Sequence, residues 1–141
     1  MTDAQTILTY LKAKLVDPSS RGYPTSQGYH WIYISKPSIS FSVLGYPIVY
    51  LDLPNTSEVG KRTGSGVVDR NRITIQVFAS KMSHIDTLRE SLRGLFINYA
   101  IKDLPGMFNF TVESISVTSN IIDDAGIYQM LFDVSYISMR G

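Results

Sequence analysis

Three groups of residues carry side chains able to do chemistry, and each has a spacing that can be set against a mechanism. Gly60-Lys61-Arg62-Thr63 has the backbone amides and ammonium group with which phosphate loops hold nucleotides. The pattern G-x-x-x-x-G-K-[ST] needs glycine at position 55 and a hydroxyl at 62, where Asn55 and Arg62 stand, and no helix follows. His30 and His84 are the two histidines. They lack the H-x-x-x-H spacing that puts two ligands on one helix face, and their places fit surface or helix-end roles. Asp123-Asp124 is a carboxylate pair, but Ala125-Gly126 follows it between two apolar stretches, which is turn chemistry. There is no cysteine and no G-x-S-x-G elbow. The sequence therefore supplies no catalytic residue, metal ligand or cofactor site, and a non-enzymatic role is expected.

Composition narrows the classes further. The 141 residues are enough for one domain with its own core. A formal net charge of +1 gives no support to an overall basic nucleic-acid binder. Charged residues make up 18%, below the usual quarter, while nine tyrosines stand out. Tyrosine offers wide contact area with a polar tip, so this balance fits a surface that meets a partner. It equally fits an ordinary β protein with half-exposed sheet positions. No apolar run approaches 18 residues, and the opening MTDAQT lacks the basic start of a signal peptide, so folding in a cytoplasm is expected.

The elements that must position these residues follow from periodicity. Thr2 and Gln5 are spaced as a capping box, with Asp3 at the positive helix end. Ile7, Leu8, Leu11 and Leu15 form one stripe, so a helix is expected near 4–16, ended by Asp17-Pro18. Residues 19–29 read as a surface connection. His30–Ser35 reads as a strand, Ile39, Phe41 and Val43 alternating with serines as another, and Ile48–Leu53 as a third, stopped by Pro54 and Asn55. Glu58–Asn71 is poor in apolar residues and carries Gly60, Gly64 and Gly66. Its length predicts an extended hairpin arm or mobile loop spanning about 55–72. Ile73, Ile75 and Val77 alternate with Thr74, Gln76 and Phe78 in a two-faced strand. Ser83, three residues before Asp86, marks a helix start of the capping-box type, and Ile85, Leu88, Leu92, Leu95, Phe96 and Tyr99 continue a helix over 84–99. Phe110, Val112, Ile115 and Val117 change phase after Val112, as a bulge would produce. Tyr128, Met130, Phe132, Val134 and Tyr136 line one face of a last strand over 127–137. The expected fold is a single α+β domain over 1–141: an antiparallel or mixed sheet, two helices on one face, and a long β-hairpin loop.

Four stretches of this pattern together resemble a known family. The strand ending Val77-Phe78-Ala79, the helix texture Leu88–Arg93, the acidic turn and the strand end Asp133-Val134-Ser135-Tyr136 are similar to the tail-terminator and tail-completion (head–tail joining) proteins of long-tailed bacteriophages. The Pro-interrupted stretch 36–47 and short C-terminus depart from that pattern, toward neighbouring connector proteins. The resemblance implies a structural virion protein of the tail or neck, assembled in the host cytoplasm, without cofactor and without membrane contact. It implies a homo-hexameric ring that caps the tail tube, ends its polymerisation and joins the head. The partners would be the tail tube protein and a head-completion or connector protein. Genomic DNA would pass through the lumen without sequence-specific contact. A closed ring needs two different complementary patches per subunit. Candidate contacts are Glu58, Lys61, Arg62, Arg70 and Arg72 on or beside the loop, where the arginines can pair carboxylates, and Gln76, Gln129 and Asp133 on the polar sheet face. Two alternatives stay open: a head–tail adaptor on the portal side, and an RNA-binding α+β module that stacks bases on exposed sheet aromatics. The second lacks an aromatic-glycine signature and a basic excess.

Overall fold

The computed structural model describes residues 3–26, 28–52, 55–63, 66–99, 104, 106–122 and 125–140, with the backbone alone described at 55–63, 66–69, 98–99, 120, 122, 125 and 139–140. In chain order the elements are α1 (Asp3–Lys14), β1 (Ile32–Ile34), α2 (Phe41–Leu44), β2 (Ile48–Leu51), β3 (Asn55–Thr63), β4 (Gly66–Ala79), α3 (Met82–Gly94) with a π-helical turn at Leu95–Tyr99, β5 (Met107–Ile122) and β6 (Ala125–Arg140). The six strands form one sheet in the order β1-β2-β4-β6-β5, and β3 pairs with the outer part of β4. β1 runs parallel to β2 and all other pairings are antiparallel, so the sheet is mixed.

β4 and β6 are the spine. Their register pairs Ile73 with Val134, Ile75 with Phe132 and Val77 with Met130. All six side chains are buried with Ile85, Leu88 and Leu92 of α3. Ile7, Tyr10 and Leu11 of α1 join the same core, and the Tyr10 hydroxyl donates to the Leu95 carbonyl at 2.7 Å. Tyr136 anchors the other end of α1 by donating to Asp3 Oδ2 at 2.9 Å. Both long helices therefore cover one face, as the two periodicities predict. Thr2, read as an N-cap, lies outside the described residues, and so does the acidic pair 123–124.

The strand face opposite the helices carries a second, smaller cluster. Ile48 and Tyr50 point away from Val49 and Leu51, and pack with Phe41, Phe78 and Ile127. Here the structure corrects the expected strand at Ile39, Phe41 and Val43. The segment makes the one-turn helix α2, whose amides bond to the Ser40 and Phe41 carbonyls. Both sides of β2 are already taken, by β1 and β4, so the segment crosses the sheet face and inserts Phe41 while Val43 stays exposed. Three smaller corrections follow. β1 spans three residues, and Trp31 just before it and Ile32 within it are both buried in the main core. Asn55 opens β3 and does not simply stop β2. Ser83 and Asp86 form no capping box: Lys81 is the N-cap, no side chain caps it, and Asp86 pairs with Arg89 at 2.9 Å. The bulge expected after Val112 is present, between Val112 and Ser114, with another between Phe108 and Thr111.

Leu92 is fully buried at the centre of α3's stripe. Leu92→Ala should cost about 2–5 kcal/mol in chemical denaturation. An unchanged midpoint would mean that α3 does not close this core.

Candidate functional site

The residues that sequence reasoning picks out come together on the open face of the sheet and on its hairpin arm. The alternation that sends Ile73, Ile75 and Val77 under α3 sends Arg72, Thr74 and Gln76 to the other side. Across the ladder, Thr74 faces Asp133 and Asp133 faces Ser114. Thr74 Oγ1 donates to Asp133 Oδ1, and Ser114 Oγ to Oδ2 at 2.8 Å. A second chain of bonds runs from Gln129 Nε2 to Gln76 Oε1 at 2.9 Å, and from Gln76 Nε2 to Asp52 Oδ2 at 2.9 Å. Ser135 Oγ donates to Glu113 Oε1 at 2.6 Å. Gln76 and Gln129 thus belong to one chain of hydrogen bonds and Asp133 to another, a polar lattice of separate networks across β4, β5, β6 and Asp52 beside β2, in which amide and hydroxyl groups hold each carboxylate in place. Arg70 and Arg72 are exposed on the same face where β4 leaves the sheet body.

Beyond them β3 and β4 form the arm that the glycine-rich segment predicts. Its register runs from Asn55 opposite Arg72 to Thr63 opposite Gly66, with an irregularity between Glu58 and Arg62. Glu58, Lys61 and Arg62 sit on β3, where the structure describes backbone alone. The β5–β6 hairpin points the opposite way, since β6 pairs with β4 only as far as Tyr128 and with β5 on to Ala125. Each end of the sheet therefore presents a different hairpin.

The open face gives little to stack on. Tyr50 and Phe78 lie stacked at 5.7 Å and Phe41 leans on Phe78 at 5.0 Å, all three buried. A cleft of 360 Å³ remains beside them, walled by Lys36, Ser38 and Ile39. Among the described residues no three His, Asp or Glu side chains stand close enough to share a metal ion, and no helix is long and apolar enough to cross a membrane. His30 serves a structural purpose: its Nδ1 accepts from the Trp31 amide at 2.9 Å and the Ile32 amide at 3.3 Å. Burial, with Lys12 nearby, lowers its pKa, which keeps that acceptor unprotonated.

Sequence reasoning missed Asp17, a buried carboxylate with several hydrogen-bond donors around it. Asp17 is 8% exposed and accepts from the Ser19 amide and hydroxyl, Arg21 Nε and the Tyr23 hydroxyl at 2.7–2.9 Å. Arg21 then reaches the Leu44 carbonyl at 3.2 Å and the Pro47 carbonyl, tying the connection after α1 to the start of β2. Its guanidinium passes Gly45, where a Cβ would sit 3.2 Å from Nη1 on a backbone of positive φ. Burial alone would raise the Asp17 carboxyl, but the hydrogen bonds from Ser19, Tyr23 and Arg21 outweigh it and hold the group below its usual value. The available signal was the Asp-Pro-Ser-Ser string, which is as much an Asx-turn pattern as a helix stop.

The sequence matches no family model and no curated protein. A chain in the solved structure of the virion of a native gene transfer agent particle is similar over 97% of this chain and 96% of that chain, with a TM-score of 0.66 at 12% identity. The likeness is one of fold. It runs over nearly the full length of both chains.

Asp17→Asn removes the charge that Arg21 pairs and should cost about 1–3 kcal/mol at neutral pH. Because the folded carboxyl titrates below its unfolded value of 3.8, this contribution is complete above that pH. It fades as the pH falls through the lower folded value. The gap between wild type and variant should therefore close in acid. A gap that is constant from pH 7 to pH 2 would contradict the ion-pair account.

Proposed function

We propose that this chain is a structural protein of a phage-like virion, and that within the virion it acts as a tail terminator. The observation that carries the reading is the fold shared end to end with a chain of a gene transfer agent virion. The resemblance of Val77–Ala79, Leu88–Arg93 and Asp133–Tyr136 to tail-terminator proteins supports the finer assignment independently. In this reading six copies close into a ring on the last layer of tail tube subunits. The ring covers the surface on which another layer would add, and its far side takes the head-completion or connector protein. The mechanism is steric, so it needs interfaces rather than reactive groups.

The geometry fits such work. Heterologous ring contacts need two unlike patches per subunit, and the sheet has unlike hairpins at its two ends. On the arm, Glu58, Lys61, Arg62, Arg70 and Arg72 offer charges for pairing across a subunit boundary. The open face, with Gln76, Gln129 and Asp133 locked in their lattice, is polar without a basic excess. A face of that kind can meet a neighbour or border a lumen through which DNA slides without being gripped, because phosphate binding scales with the cations presented. An RNA-binding module would need exposed rings on this face, and Tyr50 and Phe78 are buried.

The arm tests the reading. Replacing residues 59–68 by Asn-Gly joins Glu58 to Asp69, which face each other across the hairpin, through a two-residue turn. The shortened chain should fold, because none of the core residues described lies between 55 and 72. In an assembly assay it should leave tails uncapped or overlong. Tails of normal length joined to heads at the parent's efficiency would remove the arm from the mechanism. Binding to heads but never to tubes, by the unaltered chain, would favour a portal-side adaptor.

A further inference from the structure

Two long strands of this sheet have an outer edge that no strand pairs with among the described residues: β3 on one side and β5 on the other. An open edge is a row of N–H and C=O groups that another strand can satisfy, and proteins usually guard it with charge, proline, a bulge or a cover. β5 is guarded over its first half only. Register shifts lie between Phe108 and Thr111 and between Val112 and Ser114, next to the charge of Glu113. From Ser114 opposite Asp133 to Ile122 opposite Ala125 the pairing with β6 runs without a break. The sequence there, S-I-S-V-T-S-N-I-I, holds no charge and no proline. Ser116 and Thr118 are exposed, Ile115 and Val117 are half-buried, and Ile121 is 81% exposed. This stretch has every property of an edge left open for pairing.

We propose that the Ser114–Ile122 edge of one copy receives the β3 edge of a second copy, so that the sheet continues from subunit to subunit. The proposal rests on the ring reading and names the surface that closes it. Three features point to a second copy. β3 is nine residues long, the same as the unbroken stretch of β5, and its own irregularity is confined to the part between Glu58 and Arg62. The two open edges lie on opposite sides of one sheet, so each subunit can give with one and take with the other, which is the heterologous contact that rings require. The receiving stretch carries no charge to repel Glu58, Lys61 or Arg62 of β3. The backbone bonds give affinity, while the alternating Ile115, Val117 and Ile121 add apolar contact.

The test uses the full chain. Ser116→Lys with Thr118→Lys places two cations on the edge at exposed positions that the core does not use. Thermal melting should be unchanged, and self-association by sedimentation should weaken at least about tenfold, equivalent to ~1.4 kcal/mol. The absence of cysteine allows a second arm. Ser57→Cys with Thr118→Cys and a short bis-maleimide should give a covalent ladder beyond the dimer, and Thr118→Cys alone should give no linked product. Dimers from Thr118→Cys alone would show β5 pairing with β5 and overturn the proposal. Rings that survive the two lysines and do not cross-link would overturn it and leave the ring reading standing. A chain that is monomeric at all concentrations would overturn both. Amide protection of 114–122 that appears only on adding tail tube protein would assign the edge to that partner, and the proposal would fail.

Discussion

The structure depends on the register of β4 against β6. Ile73 with Val134, Ile75 with Phe132 and Val77 with Met130 put the apolar side of both strands under α1 and α3. The same register puts Thr74 beside Asp133, and Gln76 within reach of Gln129, on the other side. A slip of one residue would exchange the two faces and drive carboxylates and amides into the core. The apolar core and the polar lattice therefore fix the register together, the first by burial and the second by hydrogen bonds. What the open face presents to a neighbour follows from that alignment.

Much of this is legible in the residues because it repeats. The alternation at 72–79 and 127–137, the 3.6-residue stripe from Ile85 to Phe96 and the phase change near Val112 each report a local periodicity that the structure keeps. What repetition does not report is harder to read. The serine-spaced stretch at Ile39, Phe41 and Val43 has a strand's pattern, yet no vacant edge beside β2 exists for it, and vacancy is a property of the whole sheet. Asp17 looks like a helix terminator because its four donors come from residues that bend around it, with Arg21 reaching 26 positions ahead to Pro47. The capping box at Ser83 and Asp86 fails because α3 starts two residues early and Asp86 turns toward Arg89. Of the candidate contacts, Gln76, Gln129 and Asp133 were legible as one face, but the bond between the two glutamines and the bonds of Asp133 to Thr74 and Ser114 were not. That arises from cross-strand neighbours far apart in sequence.

In the proposed role the work of the chain is done by its surfaces. The core and the Asp17–Arg21 tie make a firm body from which two hairpins point in opposite directions. The open face is polar and tied by its own hydrogen bonds, with Phe41, Tyr50 and Phe78 buried together at one side. Among the described residues the long strands β3 and β5 each keep an unpaired outer edge, with charged residues in the sequence of the first and none over Ser114–Ile122 of the second. Steric termination of a polymer, the role proposed for this chain, asks for a cap that does not offer the surface it covers.

The most direct measurement is the length of tail tubes grown from purified tube protein with and without this chain, read by electron microscopy with the chain labelled. The account predicts that tubes stop short in proportion to the amount added, each with label at one end in a ring of six subunits of 15.8 kDa. Tubes of unchanged length, or label scattered along their walls, would contradict it.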